Sequence, residues 1–585
     1  DLHRALARAR DGRGQVVLVA SEAGSGKTTL LSEFQRQAAG RPAFLEGACD
    51  PVSTPRPLGP LIDAVGALDH DLAVRLAAGT NRAEAFAVAQ SLVDGSRGDL
   101  STVLTIEDVH WADEATLDLV TFLGRRIART SSLLVLTYRE DEVDAGHPLR
   151  ARLGELAGAI GTRVTLEPLT RSAVASLVER SGADVDVDDL HRTTGGNPFF
   201  VTEVLGARPG RLPVSVQEAV LARAERLPLH ARTVLDAAAI VPGRVERWLM
   251  DAMTPTVDTS AGLEICAQRG LVHVDAEGTI GFRHELSRLG IANALVGEVR
   301  RELHARAFAA LVDPPVGHPD DARLAHHAAE AGDAQGVLTH APVAAAEAEH
   351  MGAIREAERH YGAAIRFAGA LDALQRGDLH VDRARLRMRL SQPDDALSDL
   401  TVALELSELA GDVDRTADAT VRSAAPLSFL GRHPEAVRAV ERAAAMVAGR
   451  PPSPAQARVS AHVASNHMLA RRFAECEREA QRTIALAEEI GHEEILAHAC
   501  INTGIALAMS GDDAGLDRVR RGMDVAEQRG DDELVATGHL QIGSGYGEIR
   551  RYDVAVPTLR EGIAFADARE MPAIVHYEAA WLGRC

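Results

Sequence analysis

The sequence contains few aromatic residues and few cysteines. Phenylalanine, tyrosine and tryptophan together make up 3% of the 585 residues. The core therefore has to be assembled from leucine, valine and alanine in elements that approach closely, which favours helices packed on helices. The five cysteines are far apart and form no C-x-x-C pair. This spacing excludes a disulfide framework and a cysteine-ligated metal site, and it predicts a reducing compartment, the cytoplasm.

Long apolar runs are also missing. No stretch approaches the ~20 apolar residues that cross a bilayer, so no membrane association is predicted. The composition, with 46% hydrophobic and 25% charged residues, is that of an ordinary globular protein, and the length is typical of about four domains. The formal net charge is -21. A chain of this charge is not by itself a nucleic-acid binder.

Lysine is nearly absent. Of the 63 basic residues, the only lysine is Lys27, which lies in the string SEAGSGKTTL. A single lysine placed by chance among these positions would fall here in about 1 case in 63. A compact ammonium group that fits between the β- and γ-phosphates in a tight loop cannot be replaced by a planar guanidinium. The string therefore predicts a P-loop that binds ATP or ADP.

The residues around Lys27 fit a strand, a phosphate-binding loop and a helix. The run 16–20 is apolar, as in a strand buried in a parallel sheet. Backbone N–H groups at the N-terminus of the following helix attract phosphate, and we assign the hydroxyl of Thr28 to Mg²⁺. The predicted nucleotide-binding residues of this segment are Ser21, Gly24, Ser25, Gly26, Lys27, Thr28 and Thr29.

Ser21 departs from the P-loop pattern. The pattern G-x-x-x-x-G-K-[ST] has glycine where this chain has serine. A residue with a Cβ atom fits there if its φ is negative, so we expect nucleotide binding to survive with altered affinity.

A second apolar run, 103–106, ends in two carboxylates, Glu107 and Asp108. Acidic groups at the carboxyl end of a strand reach the Mg²⁺ beside a P-loop, and a second one orients or deprotonates the attacking water. The usual order is an aspartate for the metal and then an acid that acts as base. Here the glutamate comes first, and we assign Glu107 to Mg²⁺ and Asp108 to the water. Two solvated carboxylates after a strand are the alternative.

A third run, 133–138, ends in Arg139. An arginine at the carboxyl edge of the sheet can read the γ-phosphate, and a surface arginine is the alternative. Shorter runs at 43–45 and 164–166 complete a predicted five-stranded parallel sheet between helices. The predicted fold class of the N-terminal part is an α/β P-loop NTPase.

The chain up to about residue 330 resembles a known family. The strings that carry the likeness are, in order, SEAGSGKTTL, LTIEDVHWADEATLDLV, LLVLTYRED, TTGGNPFFVTEVL, LPVSVQEAVLARAERLP and FRHELSRLGIANALVGEVRRELHARAFAAL. They are similar to those of the AAA-like ATPase module of signal-transduction (STAND-type) NTPases, and within it of the large ATP-binding transcriptional regulators of the LuxR type. The resemblance implies a nucleotide switch and a DNA-reading helix-turn-helix domain that these residues do not include.

The resemblance also implies two sensor positions. In that family a Gly-x-Pro turn, matched by Gly196, Asn197 and Pro198, packs on the nucleotide. A histidine in the following winged-helix segment, matched by His284, reports the phosphate state. Spacing alone would make Asn197-Pro198 a turn and His284 a core or capping residue.

A hairpin is predicted before His284. The segments 271–274 and 279–282 flank an Ala-Glu-Gly turn and precede a helix. A winged-helix subdomain of this kind binds DNA or locks a nucleotide in place. This segment has several acidic residues and few arginines, which favours a role in holding the nucleotide over DNA binding.

Beyond residue 320 the pattern is helical and repeats at about 40 residues. Each unit has a small residue that lets two helices approach, and an apolar residue six positions earlier. The small residues are Ala357, Ala396, Ala436, Cys476, Gly515 and Ala555, and the apolar ones are Met351, Leu390, Leu430, Ala470, Met509 and Ile549. The array resembles tetratricopeptide (TPR)-like sensors, whose concave surface suits a peptide, a protein or a small inducer.

Three domains are predicted. They are the P-loop ATPase domain (1–205), a helical and winged-helix subdomain (206–318) and the TPR-like repeats (319–585). The next repeat would turn near residue 590, beyond Cys585, and the chain starts with Asp1 in place of methionine. We therefore expect the sequence to be a fragment cut at both ends.

No metal site other than nucleotide-bound Mg²⁺ is predicted. His284-Glu285 and His492-Glu493 lack the second histidine of the H-E-x-x-H zinc motif. The adjacent His326 and His327 are expected to point about 100° apart on a helix and not to chelate one ion together.

Three functions remain open. The favoured one is the switch and sensor part of a bacterial transcriptional regulator, in which slow ATP hydrolysis and an inducer or protein on the repeats control self-association. DNA would be contacted only through a domain absent from this chain. The second is the same module coupled to a cyclase, a kinase or a protein scaffold. The third is a constitutive AAA-type ATPase.

Overall fold

The computed structural model describes residues 1–38, 42–51, 55–77, 82–94, 101–183, 185–206, 216–275, 278–512, 514–569 and 571–585. The chain divides into two compact units, Asp1–Phe367 and Ala368–Cys585. The sequence-based boundaries at residues 205 and 318 both fall inside the first unit, and they stay predictions.

The first unit contains the predicted five-stranded sheet, with the order β2-β3-β4-β1-β5. All its neighbouring strands are parallel. Every residue of the first strand is buried, as expected of a strand covered on both faces. The strands are β1 (Gln15–Ser21), β2 (Ala43–Ala48), β3 (Thr102–Glu107), β4 (Leu133–Arg139) and β5 (Ile160–Thr165). The carboxyl ends of β1, β3 and β4 therefore meet at one edge of the sheet.

Helices cover both faces of this sheet. Their bounds are α1 (Leu2–Arg10), α2 (Lys27–Gln37), α3 (Gly59–Gly66), α4 (His70–Ala77), α5 (Arg82–Val93), α6 (Glu114–Arg126) and α7 (Pro148–Glu155). Leu6 of α1 and Phe34 of α2 share a core with Val17 and Val135 on one face. On the other face, a Cβ atom added to Gly124 of α6 would lie 3.4 Å from the Cγ2 of Val16. Short 3₁₀ turns follow at Val109–Trp111 and Ile127–Arg129.

The rest of the first unit is mainly helical. The helices are α8 (Arg171–Ser181), α9 (Val187–Thr194), α10 (Pro198–Gly206), α11 (Val216–Ala224), α12 (Leu229–Ala239), α13 (Arg247–Met253), α14 (Thr259–Gln268), α15 (Glu285–Ala294), α16 (Gly297–Leu311), α17 (Asp321–Ala331), α18 (Ala334–His350) and α19 (Ile354–Phe367). Three short strands, β6 (Arg244–Val245), β7 (Val272–Val274) and β8 (Ile280–Phe282), form a second sheet.

The hairpin predicted before His284 is present. The strands β7 and β8 pair antiparallel, with Val272 opposite Phe282. Ala276 and Glu277 of its turn lie outside the described residues, as do residues 212–215 of one family-like string. The assignment of this region as a winged helix stays a prediction.

The described residues of the second unit are helical. The helices are α20 (Ala373–Arg389), α21 (Pro393–Ala410), α22 (Val413–Arg422), α23 (Ala424–Phe429), α24 (His433–Val447), α25 (Pro454–Leu469), α26 (Phe473–Glu489), α27 (Glu493–Met509), α28 (Ala514–Gln528), α29 (Asp532–Glu548), α30 (Tyr552–Ala568) and α31 (Pro572–Arg584). A 3₁₀ turn, Ala368–Ala370, precedes them.

The helical hairpins follow the predicted spacing of about 40 residues. All six small residues are buried at the start of the second helix of a hairpin. Each apolar residue six positions earlier lies at the end of the first helix. A Cβ atom added to Gly515 would lie 2.4 Å from the backbone of Gly504 and of Ala508. The small residue is therefore required by the approach of the two helices.

The turns of these hairpins share a backbone conformation that was not predicted from the sequence. A residue with left-handed φ follows the first helix of each unit, at a spacing of 39 or 40 residues. These residues are Gly352, Ser391, Gly431, Arg471, Gly511 and Arg550. In the fifth unit the small residue lies one position closer to the left-handed residue, because Gly515 follows Gly511 by four positions whereas Ala357 follows Gly352 by five.

Candidate functional site

The predicted P-loop connects β1 to the N-terminus of α2. Gly24 and Gly26 have φ of 76° and 95°, in the left-handed region that favours glycine. The helix begins at Lys27, as predicted. Ser21 is the last residue of β1 and keeps a negative φ. Ser21 thus occupies this position without backbone strain. A negative φ at Ser21 is the condition under which we expect nucleotide binding to be retained.

The turn at Asn197 packs directly on the P-loop. The Asn197 side-chain amide donates a hydrogen bond to the Ala23 carbonyl at 2.8 Å, and the Phe199 backbone N–H donates to the Gly24 carbonyl at 3.1 Å. A Cβ atom added to Gly24 would lie 2.8 Å from the Cβ of Phe199. Gly24 is therefore needed for close approach as well as for its φ. Pro198 is the first residue of α10 within this turn.

The structure brings the predicted metal ligands and the lysine together. The Thr28 hydroxyl donates a hydrogen bond to Glu107 Oε2 at 3.1 Å. Lys27 Nζ lies 3.9 Å from Asp108 Oδ1 and 3.5 Å from the Ser21 hydroxyl. The groups converge because β1 and β3 are parallel and end at the same edge of the sheet. Their roles toward nucleotide and Mg²⁺ stay predictions.

Burial governs the charges at this edge. It raises the pKa of Glu107 to about 6, with the Asp108 charge as the next cause. Burial also raises the pKa of Asp108, against the lowering effect of Lys27. The pKa of Lys27 is lowered, again mainly by burial. The carboxyl groups of Glu107 and Asp108 are therefore partly shielded from solvent. This differs from the alternative prediction of two solvated carboxylates after a strand.

Asp108 is held in an uncommon backbone conformation. Its φ is 53°, and its N–H donates a hydrogen bond to Thr137 Oγ1 at 2.9 Å. A left-handed φ in a residue other than glycine costs about 1 kcal/mol or more and is typical of functional sites. Thr137, on the neighbouring strand β4, was not recognised from the sequence, because nothing local marks it.

Arg139 ends β4 and lies beside Ser21 in the sheet register. It is 6% exposed, forms an ion pair with Glu142, and its guanidinium lies 4.6 Å from the centre of the Trp111 ring. The surface alternative for Arg139 is therefore wrong. Reading of the γ-phosphate by this arginine stays a prediction.

His110 is a site residue that the sequence analysis did not single out. It is buried, and burial lowers its pKa to about 3, so the ring is neutral at pH 7. Within the described residues, both ring nitrogens and Asp108 Oδ1 lack a hydrogen-bond partner. Buried polar atoms without partners at a P-loop fit a cradle for a phosphate, a hydrated Mg²⁺ and a water.

His284 contacts the turn at Phe199. It precedes α15, and its ring lies 4.1 Å from the ring of Phe199. Burial lowers the pKa of His284 to about 4. The remaining predicted residues lie on the loop and helix: Ser25 donates a hydrogen bond to the Glu22 carbonyl at 2.7 Å, and Thr29 is exposed on α2.

Comparison with known proteins agrees with this geometry. Residues 1–136 match the model of the AAA ATPase domain. The match ends within β4, so it covers the P-loop together with Glu107 and Asp108. The chain thus combines an N-terminal AAA ATPase domain with TPR-like helical repeats.

An uncharacterized protein of Rhizobium meliloti (strain 1021) is 28% identical over 438 residues. The alignment spans 62% of this chain and 41% of the relative. The chain therefore covers about two fifths of the length of the curated relative that it matches.

Solved structures with similar architecture are more distant. A STAND protein with a tetratricopeptide repeat sensor from Pyrococcus horikoshii shares 14% identity over 99% of this chain and 85% of its own, with a TM-score of 0.47. A Rap protein complexed with Competence and Sporulation Factor shares 14% over 69% of this chain and 100% of its own, with a TM-score of 0.34. None of the described helices has both the length and the apolar character that crossing a bilayer requires.

A second group of ligand-type side chains lies outside the nucleotide site. His304 of α16 meets His326 and His327 of α17, and one ligand atom of each lies within 4.8 Å of those of the other two. The expectation that His326 and His327 cannot serve one ion is thereby corrected. Their rings lie in edge-to-face contact, with centroids 5.2 Å apart and planes at 69°. His304 approaches from the neighbouring helix and completes a group that spacing along one helix cannot reveal.

Proposed function

We propose that this chain is the ATP-binding switch, slow ATPase and sensor portion of a bacterial transcriptional regulator of the LuxR type. ATP and ADP hold different arrangements of the first unit, and a signal on the repeats biases the equilibrium between them. DNA is contacted through a domain outside these residues. The observation that carries the proposal is the convergence of Lys27, Thr28, Glu107 and Asp108 at the N-terminus of α2.

These residues have distinct tasks at the nucleotide. The N–H groups of the loop and the ammonium of Lys27 bind the phosphates, and the Thr28 hydroxyl with Glu107 binds Mg²⁺. Mg²⁺, when bound, neutralises phosphate charge during hydrolysis. Asp108 accepts a proton from the water at Oδ1, an atom without a hydrogen-bond partner in the described structure. Its raised pKa makes it a better proton acceptor than an exposed aspartate.

Sensing rests on the turn that packs against the P-loop. Asn197 and Phe199 donate hydrogen bonds to the carbonyls of Ala23 and Gly24. The ring of His284 contacts the ring of Phe199. A shift of the loop on loss of the γ-phosphate therefore displaces Phe199 and the start of α15. Arg139, beside Ser21, supplies a cation toward the same phosphate. This continuous packing supports a switch in which α15 follows the nucleotide state.

The second unit offers a site for an inducer. A cavity of about 370 Å³ lies among α20, α21 and α22, a size that suits a small ligand. Its lining is rich in charged side chains, which favour a polar or zwitterionic compound. These side chains are Asp378, Asp382, Arg415, Asp418 and Arg422.

The nucleotide-binding claim is tested by the variant Lys27→Ala. Removal of the ammonium should weaken Mg-ATP binding by about a hundredfold or more, close to 2.7 kcal/mol. Titration with a fluorescent ATP analogue measures the affinity. Unchanged affinity in Lys27→Ala would refute the site assignment.

The variant Arg36→Ala is a matched control. Arg36 is a cation on the same helix, but it is exposed and bonded to Glu33. The control should bind Mg-ATP with the affinity of the unaltered chain. Equal losses in both variants would indicate a general effect of charge on α2 and not a P-loop contact.

A further inference from the structure

Three histidines converge where α16 meets α17, in a part of the first unit that no step of nucleotide binding uses. His304 and His327 are 4% and 1% exposed, and His326 is half-buried. Their ligand atoms all lie within 4.8 Å of one another. Imidazole nitrogens are common protein ligands of zinc and related divalent ions.

Two of the histidine nitrogens are already nearly as close as two ligands of one zinc ion. His304 Nδ1 and His327 Nδ1 are 2.9 Å apart and share one hydrogen. Two nitrogens bound to one tetrahedral zinc at 2.0–2.1 Å lie about 3.3 Å apart. A ligand atom of the half-buried His326 lies within 4.8 Å of the other two, so a rotation of its ring could bring the third nitrogen into the same coordination sphere. The group is therefore arranged for an ion with only a small adjustment.

The protonation of the rings is compatible with binding. Burial lowers the pKa of His304 to about 3, and burial also lowers the pKa values of His326 and His327. All three rings are neutral at pH 7, so each has a nitrogen lone pair. The hydrogen between His304 and His327 moves to the Nε2 of the ring that carried it when both Nδ1 atoms bind the ion. This change of tautomer needs no loss of a proton from the pair.

Three arginines lie near the histidines. Arg288, Arg300 and Arg323 each help to lower the pKa of at least one of the three rings. Arg288 is bonded to Glu285 through its Nε and Nη2, and Arg323 is bonded to Glu246 at 2.6 and 3.0 Å. Glu330, one helical turn after His326, adds a negative charge next to the group. The two ion pairs and Glu330 offset part of this positive charge.

We propose that His304, His326 and His327 form a zinc site that clamps α16 to α17. Three neutral imidazoles supply three ligands of a tetrahedral ion, and water or the Glu330 carboxylate takes the fourth position. The bound ion would link α16, the last helix before residue 318, to α17, the first helix of the predicted repeats. The site is separate from the P-loop and does not depend on the proposed switch.

The proposal is tested on the full chain by titration with Zn²⁺ after treatment with a chelator. Excess Mg²⁺ is present, so that the oxygen ligands of the nucleotide site do not take up zinc. We expect one Zn²⁺ per chain and an increase in the unfolding temperature, because an ion that binds only the folded state stabilises it. The absence of saturable binding by the unaltered chain would overturn the proposal.

The variants His326→Gln and His318→Gln separate the site from adventitious binding. His326→Gln removes a half-buried ligand and should weaken Zn²⁺ binding by more than about tenfold. His318 is exposed in the loop between α16 and α17, and His318→Gln should leave the affinity unchanged. Equal affinity in the unaltered chain and in His326→Gln would exclude these histidines as ligands.

A second measurement covers the case in which His326→Gln does not fold. The unaltered chain is loaded with Co²⁺, which reports tetrahedral coordination through visible d–d absorption. The proposal expects a tetrahedral spectrum that Zn²⁺ abolishes by competition. An octahedral spectrum, or one that Zn²⁺ leaves unchanged, would mean that the three histidines form only a hydrogen-bonded core cluster.

Discussion

Glu356 places a carboxyl group in the interior at the start of α19. It is 3% exposed, and its Oε2 has no hydrogen-bond partner in the described structure. Arg359 lies close to this carboxyl group, with 3.5 Å between Arg359 Nη1 and Glu356 Oε1. Burial, followed by the Asp113 charge, raises the pKa of Glu356 from 4.5 to about 7. The folded state thus binds this proton more tightly than the unfolded state, and stability is lost as pH rises through about 7.

The variant Glu356→Gln should therefore stabilise the protein in a pH-dependent way. Its free energy of unfolding should exceed that of the unaltered chain by on the order of 2 kcal/mol at pH 8 and by less than about 1 kcal/mol at pH 5. Chemical denaturation at the two pH values measures the difference. The exposed Glu405, changed to glutamine, should show no such gain. An equal gain at both pH values would rule out ionisation as the cause.

Single residues differ in how much of their role the sequence reveals. Lys27, Thr28 and Glu107 were predicted together, because strand, loop and helix patterns are local and parallel strands end at one edge. The bond between Asn197 and Ala23 joins residues 174 positions apart. No local pattern encodes such a contact, and the family resemblance placed that turn on the nucleotide and not on the loop.

At the scale of elements, the turns of the helical hairpins carry repeated backbone strain. Ser391, Arg471 and Arg550 adopt left-handed φ of 58°, 54° and 60°. The equivalent turns use Gly352, Gly431 and Gly511, which adopt this φ at no steric cost. Each non-glycine residue there costs about 1 kcal/mol.

The variant Ser391→Gly should relieve this strain. Its free energy of unfolding should rise by about 0.5 to 1 kcal/mol. The same change at Ser398, which is exposed inside α21, should lower stability by about 0.5 kcal/mol, because glycine disfavours a helix interior. Urea unfolding of the two variants measures both values. Destabilisation by Ser391→Gly would show that the turn is not strained.

The repeat itself was visible in the sequence because packing requires a small residue at a fixed place in each hairpin. The left-handed turn residues were not predicted, since serine and arginine do not mark this conformation. The shifted position of the small residue in the fifth unit was missed for a related reason. Gly515 satisfied the packing pattern although its distance from the turn differs by one residue.

The whole molecule comprises two compact units with separate cores. A nucleotide that binds the P-loop should stabilise the first unit directly. Calorimetry should resolve two unfolding transitions, and Mg-ATP at a hundred times its dissociation constant should stabilise one of them by about 2.7 kcal/mol. The other transition should shift by much less. A single transition that Mg-ATP shifts as a whole would mean that the units unfold as one.

The architecture of the whole chain followed from two periodicities, apolar strand runs before residue 170 and a 40-residue helical repeat after residue 320. The point at which the compact units separate, between Phe367 and Ala368, did not follow from them. The helices α17 to α19 look like the rest of the array in sequence. Their tertiary contacts belong to the first unit, and tertiary contacts are not encoded by local periodicity.

The single lysine provides a site for selective chemical labelling. Apart from the amino terminus, Lys27 carries the only primary amine among 585 residues. Its lowered pKa leaves a larger fraction of that amine unprotonated than at an exposed lysine. An acylating reagent would therefore place one label at the phosphate loop without any engineering of the chain. Protection of Lys27 from such a label would report occupancy of the nucleotide site directly.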